Sequence, residues 1–150
     1  MRHLRFPAVL VPSLMLVLAS CSAATPTPAS GTTIDVTLQE WSVLPSAATA
    51  PAGEVTFSVT NQGPDDVHEF VVLKTDLDPG DLPTAADGSV EETGEGIEVV
   101  DEIEDIPVGE TMDLPVTLAA GNYVLLCNIY DATEDEAHFQ MGMRTAFTVE

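Results

Sequence analysis

Few side chains in this sequence can bind a transition metal, and their types suggest one metal in particular. Beyond residue 20 and apart from Cys21, the candidate soft and borderline ligands are His68, Cys127, His138 and three methionines, of which Met141 and Met143 lie just after His138. A thiolate and two imidazoles form a trigonal set to which a thioether adds a weak axial contact, and this is the donor set of blue-copper electron-transfer sites. A structural zinc site requires four strong ligands, whereas only three accompany the thioethers here. The residue types therefore predict one type 1 copper ion that accepts and releases single electrons.

Each of these residues also has an ordinary structural interpretation. Cys127 is alternatively a buried thiol that packs like a small apolar side chain. His68 is alternatively an exposed residue at the start of a strand, and Met143 a core residue, while Met141 competes with Met143 for the axial position. The occurrence of His, Cys, His and Met in this order favours metal binding over these structural interpretations taken together.

The candidate ligands lie near the ends of predicted β-strands. Apolar residues alternate with polar ones, or form short continuous runs, in seven segments: 34–38, 55–59, 68–73, 97–103, 112–116, 123–127 and 146–149. Such segments, separated by Gly-, Pro- and Asn-rich turns, predict an all-β, antiparallel Greek-key β-sandwich of about seven to eight strands. Residues 75–96 are acidic and rich in Gly and Pro, which predicts a loop. Trp41 and Phe147 are predicted to pack in the core.

Residues 34–150 resemble a cupredoxin of the plastocyanin, auracyanin and sulfocyanin type. The similarity is carried by the strand and first-ligand segment (55–61 and 68–72), the strand that delivers the cysteine (121–127), the H-x4-M from His138 to Met143, and the final strand (144–149). The resemblance implies that His68, Cys127 and His138 are equatorial copper ligands and that Met143 is the axial one. It also implies a cupredoxin-like domain over residues 33–150.

The segment between Cys127 and His138 departs from the cupredoxin pattern. Ten residues, 128–137, separate these ligands, where most of the family has only a few. We expect the extra residues to loop into solvent, because longer loops cost little additional entropy. Their carboxylates would lie beside the metal and favour Cu(II). A side-chain hydrogen bond near the thiolate is expected from either Asn61 or Asn128.

The first 20 residues are typical of a lipoprotein signal peptide. Arg2, His3 and Arg5 precede a short apolar run, and Leu18-Ala19-Ser20-Cys21 resembles the bacterial lipobox. Cys21 is therefore the predicted lipidation site, and the alternative is an ordinary signal peptide with Cys21 incidental. Residues 21–32 contain only small residues, Ser, Thr and Pro, which predicts a flexible tether. The protein is expected to be extracytoplasmic and lipid-anchored to the outer face of the cell membrane.

The charge limits the possible partners. All 25 acidic residues follow residue 20, where Lys74 and Arg144 are the only basic residues, so that part carries a formal charge of −23. This excludes nucleic acid as a partner and any membrane contact other than the lipid anchor. The charge suits either steering toward a basic redox partner, such as a cytochrome or an oxidase subunit, or solubility at high salt.

Together these features predict a monomeric carrier of single electrons rather than an enzyme. Both histidines are assigned to the metal, which leaves no Ser-His-Asp arrangement and no acid–base pair. Two other functions remain open: a copper-binding module for storage, delivery or sensing, and a non-redox β-sandwich that mediates interactions.

Overall fold

The computed structural model describes residues 31–150. The predicted signal peptide (1–20), Cys21 and most of the predicted tether (21–32) lie outside the described residues. The strands are β1 (Thr32–Gln39), β2 (Ser42–Pro45), β3 (Thr49–Ala50), β4 (Gly53–Asn61), β5 (His68–Lys74), β6 (Glu98–Ile106), β7 (Thr111–Leu118), β8 (Gly121–Leu126), β9 (Tyr130–Asp131), β10 (Glu136–Ala137) and β11 (Arg144–Val149). One short helix, α1 (His138–Met141), precedes β11. No helix within this range is long and apolar enough to cross a membrane.

Two sheets enclose the main core. Sheet 1 has the strand order β2-β1-β4-β7, sheet 2 has the order β3-β11-β8-β5-β6, and β9 and β10 form a separate hairpin. The side chain of Phe57 in sheet 1 meets Phe70 and Phe147 of sheet 2 at ring-centroid distances of 5.3 and 5.5 Å. Each of these buried rings contributes about 1.5–3 kcal/mol of hydrophobic free energy. The predicted β-sandwich is confirmed, and so is the place of Phe147 in the core.

The pairing is antiparallel, as predicted, except in two places, where parallel pairs make the sheets mixed. β1 pairs in parallel with β4, and β3 pairs in parallel with β11. After β1 and β2 the chain crosses to the edge of sheet 2 as β3 and then returns as β4. This crossing brings β4 back alongside β1 in the same direction. The four strands absent from the sequence prediction (β2, β3, β9 and β10) have two to four residues each, too few to display a period.

The loop that follows β5 covers the outer face of sheet 2. Leu82 and Val90 of this loop are buried against Leu73, Leu126 and other apolar residues that face away from the main core. β5 and β8 are therefore apolar on both faces, which explains their continuous apolar runs in the sequence. The acidic segment was correctly predicted to be a loop, but its two anchoring side chains were not identified.

Asn61 joins the two sheets at one end of the sandwich. Its side-chain amide donates hydrogen bonds to the carbonyls of Asp66, at 2.8 Å, and Ile106, at 2.9 Å, while its Oδ1 accepts from the N–H of Gly63 at 2.8 Å. The residue is fully buried at the end of β4, and Ile106 ends β6 in the other sheet. One side chain thus determines the course of the loop that leads into β5.

We expect Asn61→Ala to lower the free energy of unfolding by about 2–4 kcal/mol, because it leaves buried backbone groups without partners. Urea denaturation measures this loss. The control is Asn122→Ala, which removes an exposed side-chain hydrogen bond to Asp76 and should cost about 0.5 kcal/mol or less. Equal losses in the two variants would show that Asn61 has no special role.

Candidate metal centre

Neighbouring strands of sheet 2 bring the predicted ligands to one end of the sandwich. His68 begins β5, and Cys127 directly follows β8, which pairs with β5 and with β11. His138 begins α1 and Met143 directly precedes β11. The antiparallel pairing of these strands places the start of β5, the end of β8 and the start of β11 at the same edge.

Three donor atoms form a small buried triangle. The Nδ1 atoms of His68 and His138 are 3.3 Å apart, and Sγ of Cys127 is 3.9 Å from the first and 3.4 Å from the second. The exposed fractions of the three residues are 0%, 3% and 0% for His68, His138 and Cys127. These residues form a group able to hold a metal ion.

The size of the triangle fits a bound ion. An ion at the centre of three donors, with typical zinc bond lengths of about 2.0 Å to nitrogen and about 2.3 Å to sulfur, separates those donors by about 3.5–3.7 Å. The observed separations of 3.3–3.9 Å bracket this value. The donors are therefore spaced for a three-ligand site with little further movement.

Burial keeps the donors uncharged in the absence of a metal. Desolvation lowers the pKa of both histidines, and for His68 the nearby His138 lowers it further. Both imidazoles are therefore neutral near pH 7, as metal ligands must be. Desolvation raises the pKa of Cys127 to about 12, so the buried thiolate needs a cation beside it to form at neutral pH.

The hydrogen bond to the thiol sulfur comes from the backbone. The N–H of Glu69 donates to Sγ of Cys127 at 3.3 Å. Neither candidate asparagine bonds to the sulfur through its side chain: Asn61 bonds to backbone groups of its own loop and of β6, and Asn128 bonds to Val90 and to the carboxylate of Glu92. A backbone donor is independent of residue type, so the sequence carries no signal for it.

The structure distinguishes the two candidate methionines. Met143 is fully buried in the core cluster that also contains Cys127. Its backbone carbonyl accepts the N–H of Cys127 at 3.0 Å, and its own N–H donates to the carbonyl of His138 at 3.1 Å. Met141 is 44% exposed. Met143 is therefore the methionine that is available to a buried metal.

Most of the ten residues between Cys127 and His138 form a hairpin, and the first of them, Asn128, is bonded to the loop after β5. β9 and β10 pair, Asp131 accepts the backbone N–H groups of Thr133 and Glu134, and the hydroxyl of Tyr130 donates to Asp135 at 2.6 Å. The N–H of His138 donates to the carbonyl of Ile129 at 2.9 Å, which closes the base of the hairpin. The tip, residues 132–135, is exposed. The additional residues therefore do not separate the three donor atoms.

Two residues of the turn between β1 and β2 border the site, a role that their positions in the sequence do not indicate. Trp41 packs against the core as predicted, but it is partly exposed and its ring meets His138 edge-on at a centroid distance of 4.9 Å. Glu40 lies 3.7 Å from Nε2 of His68. Neither residue has a distinctive spacing from the ligands, because the contact arises from strand pairing.

Carboxylates surround this end of the molecule. Asp65, Asp66, Asp105 and Asp131 line a shallow depression at the edge of His138. The carboxylate of Glu69, the residue whose N–H donates to the sulfur, forms a half-buried cluster with those of Glu92 and Glu102. Burial and these two neighbours raise the pKa of Glu69 to about 7. The donor triangle is therefore neutral, and its surroundings are strongly acidic.

Comparison with solved structures identifies the fold. The dithionite-reduced auracyanin of Roseiflexus castenholzii matches with a TM-score of 0.58 and 21% identity, over 81% of this chain and 99% of its own. An azurin of Methylomonas sp. strain J matches with a TM-score of 0.53 and 20% identity, over 81% and 99%. Auracyanin A of Chloroflexus aurantiacus, described as a blue copper protein, matches with a TM-score of 0.54 and 16% identity, over 81% and 100%.

No protein-family profile and no curated protein matches the sequence. At identities of 16–21% the structural likeness establishes the fold alone. The resemblance inferred from the sequence is confirmed at that level: the described chain has the cupredoxin fold, the β-sandwich that auracyanin and azurin share.

Proposed function

We propose that this protein binds one type 1 copper ion through His68, Cys127, His138 and Met143 and carries single electrons between redox partners. The observation that carries the proposal is the buried triangle of two Nδ1 atoms and one Sγ. A thiolate and two imidazoles with a nearby thioether suit copper, and the fold is that of solved blue copper proteins.

Copper would supply one-electron redox chemistry between Cu(I) and Cu(II). The chain holds the donors in fixed positions: His68 and Cys127 adjoin paired strands, and backbone hydrogen bonds tie Cys127 and His138 to Met143. Because the donors are almost fully buried, solvent has little access to the site. Ligands that are fixed in position and shielded from water would need little rearrangement when copper changes between Cu(I) and Cu(II).

Zinc is a weaker candidate for the resident metal. A structural zinc site uses four strong ligands, and the group formed here has three. The burial of the two histidines, to 0–3% exposure, argues against an enzyme, because it leaves them little contact with a substrate.

We place the domain outside the cytoplasm, anchored through a lipid on Cys21. The support is the N-terminal sequence, in which a basic head, an apolar run and a lipobox-like site precede a Ser/Thr/Pro-rich tether. Two or more acyl chains anchor a protein stably, since each buried methylene contributes about 0.8 kcal/mol.

We infer that the redox partner presents a basic surface, as a basic cytochrome or an oxidase subunit would. The acidic rim, defined here as Asp65, Asp66, Asp105 and Asp131, surrounds the edge of His138. Opposite charge raises the rate of encounter, and His138 is the ligand that this depression reaches.

The first test is the visible spectrum of the purified protein after addition of Cu(II). We expect an intense thiolate-to-copper band near roughly 600 nm that is absent from Cys127→Ser. Reversible one-electron cycling with copper retained separates a carrier from a storage or delivery module. A folded wild-type protein that binds copper without this band would refute the proposal.

Methionine variants test the axial position. We expect Met143→Leu to raise the midpoint potential of the copper form, because loss of a thioether donor destabilises Cu(II) more than Cu(I). Voltammetry measures the shift. Met141→Leu is the matched control and should leave the potential unchanged, since the side chain of Met141 is 44% exposed. A larger shift in the control would assign the axial role to Met141.

Charge variants test the acidic rim. We expect Asp65→Asn with Asp131→Asn to slow reduction of the copper form by hexaammineruthenium(II), a cation, by about three- to tenfold at low ionic strength. Stopped-flow absorbance measures the rate. Glu54→Gln with Asp76→Asn removes the same charge from the opposite end of the sandwich and serves as the control. Equal slowing in both pairs would exclude a local steering role for the rim.

A further inference from the structure

Two buried polar atoms beside the donor triangle lack hydrogen-bond partners. They are Nε2 of His68 and Oε2 of Glu40, and neither finds a partner among the described residues. They belong to side chains that approach each other, since Oε1 of Glu40 lies 3.7 Å from Nε2 of His68. A buried polar group without a partner costs free energy, so this pair requires a physical explanation.

The carboxylate of Glu40 is held in place from the opposite side. Its Oε1 accepts the backbone N–H of Asp66 at 2.8 Å and that of Asp65 at 3.2 Å. The side chain is only 11% exposed. Burial raises the pKa of Glu40, but the backbone donors of Asp66 and Asp65 outweigh it, and the net shift is downward. Glu40 is therefore a fixed negative charge that ties the turn after β1 to the loop before His68.

The chemistry of the donor triangle determines where the proton of His68 must lie. Nδ1 of His68 faces Nδ1 of His138 and Sγ of Cys127. To bind a metal, Nδ1 must present a lone pair, so the single proton of the neutral ring must be on Nε2. Metal-bound histidines usually donate this second N–H to a carboxylate, a carbonyl or water. Glu40 is the carboxylate in that direction.

We propose that Glu40 is a positioning residue that accepts the Nε2–H of His68 and so keeps Nδ1 unprotonated and directed at the metal. The present separation is longer than the about 2.9 Å of an N–H···O bond, and a movement of less than about 1 Å closes it. The hydrogen bond satisfies His68 Nε2 and anchors the ring from behind. A carboxylate in this position also makes the imidazole a stronger donor, which favours Cu(II). This inference rests on the proposed copper site.

Nitrogen-15 NMR of the histidine rings tests the hydrogen bond in the full-length, metal-free protein at neutral pH. We expect His68 to be in the Nε2–H form in the wild type and in Glu40→Gln, whose amide oxygen can still accept. We expect Glu40→Ala to shift His68 toward the Nδ1–H form. An Nδ1–H ring in the wild type, or identical spectra in wild type and Glu40→Ala, would overturn the proposal.

The midpoint potential of the copper form tests the effect of the charge. We expect Glu40→Gln to weaken the preference for Cu(II) about tenfold, which corresponds to a rise of about 59 mV for one electron. Glu134→Gln is the control, because Glu134 is exposed and lines the same depression as Glu40. Equal shifts in the two variants would reduce the role of Glu40 to a general effect of surface charge and overturn the proposal.

The two proposals fail in different ways. If the wild type has no thiolate-to-copper band, the copper site is refuted, and the NMR experiment still decides whether Glu40 controls the His68 ring. If the band is present but Glu40→Ala has the wild-type NMR spectrum, or Glu40→Gln and Glu134→Gln shift the potential equally, the copper site stands and the role of Glu40 is refuted.

Discussion

The close approach of three donor atoms in a dry interior is the constraint on which the rest of the structure depends. Two imidazole nitrogens and a thiol sulfur lie 3.3–3.9 Å apart with almost no solvent exposure. Any one hydrogen bond joins only two of these three atoms. A cation at the centre satisfies them together. The fold therefore has to hold three donors close together in a site that excludes water.

The surrounding structure provides this rigidity from several directions. Hydrogen bonds from β8 to its neighbours in sheet 2 locate Cys127, and the side chain of Asn61 determines the path of the loop that ends at His68. The second histidine is located by backbone hydrogen bonds to Ile129 and Met143. No single contact in this list holds all three donors. They act together, because moving any one donor would break several hydrogen bonds in the sheet or in the loops.

The sequence was most informative where a residue type carries its own chemistry or where a pattern is long enough to repeat. The donor set and the seven long strands could be predicted for that reason, since thiols and imidazoles are rare here and Val55, Phe57 and Val59 show a clear period. The two-residue strands have no period to detect. Glu40 and Trp41 reach the site only through the pairing of β1 with β2, and the donor to sulfur is a backbone N–H. Such contacts depend on three-dimensional proximity, which residue types alone do not encode.

The hairpin between Cys127 and His138 has a consequence for how such a protein can diverge. Residues 130–137 are held by hydrogen bonds among themselves, and one backbone hydrogen bond closes the base of the hairpin. The β9–β10 pairing and the hydrogen bond between His138 and Ile129 therefore separate a change at the tip from the donors. The tip behaves as an exchangeable module: its length and composition can vary while the metal-binding frame is preserved. A grafted epitope or an affinity tag placed there should be displayed next to the redox centre without altering it.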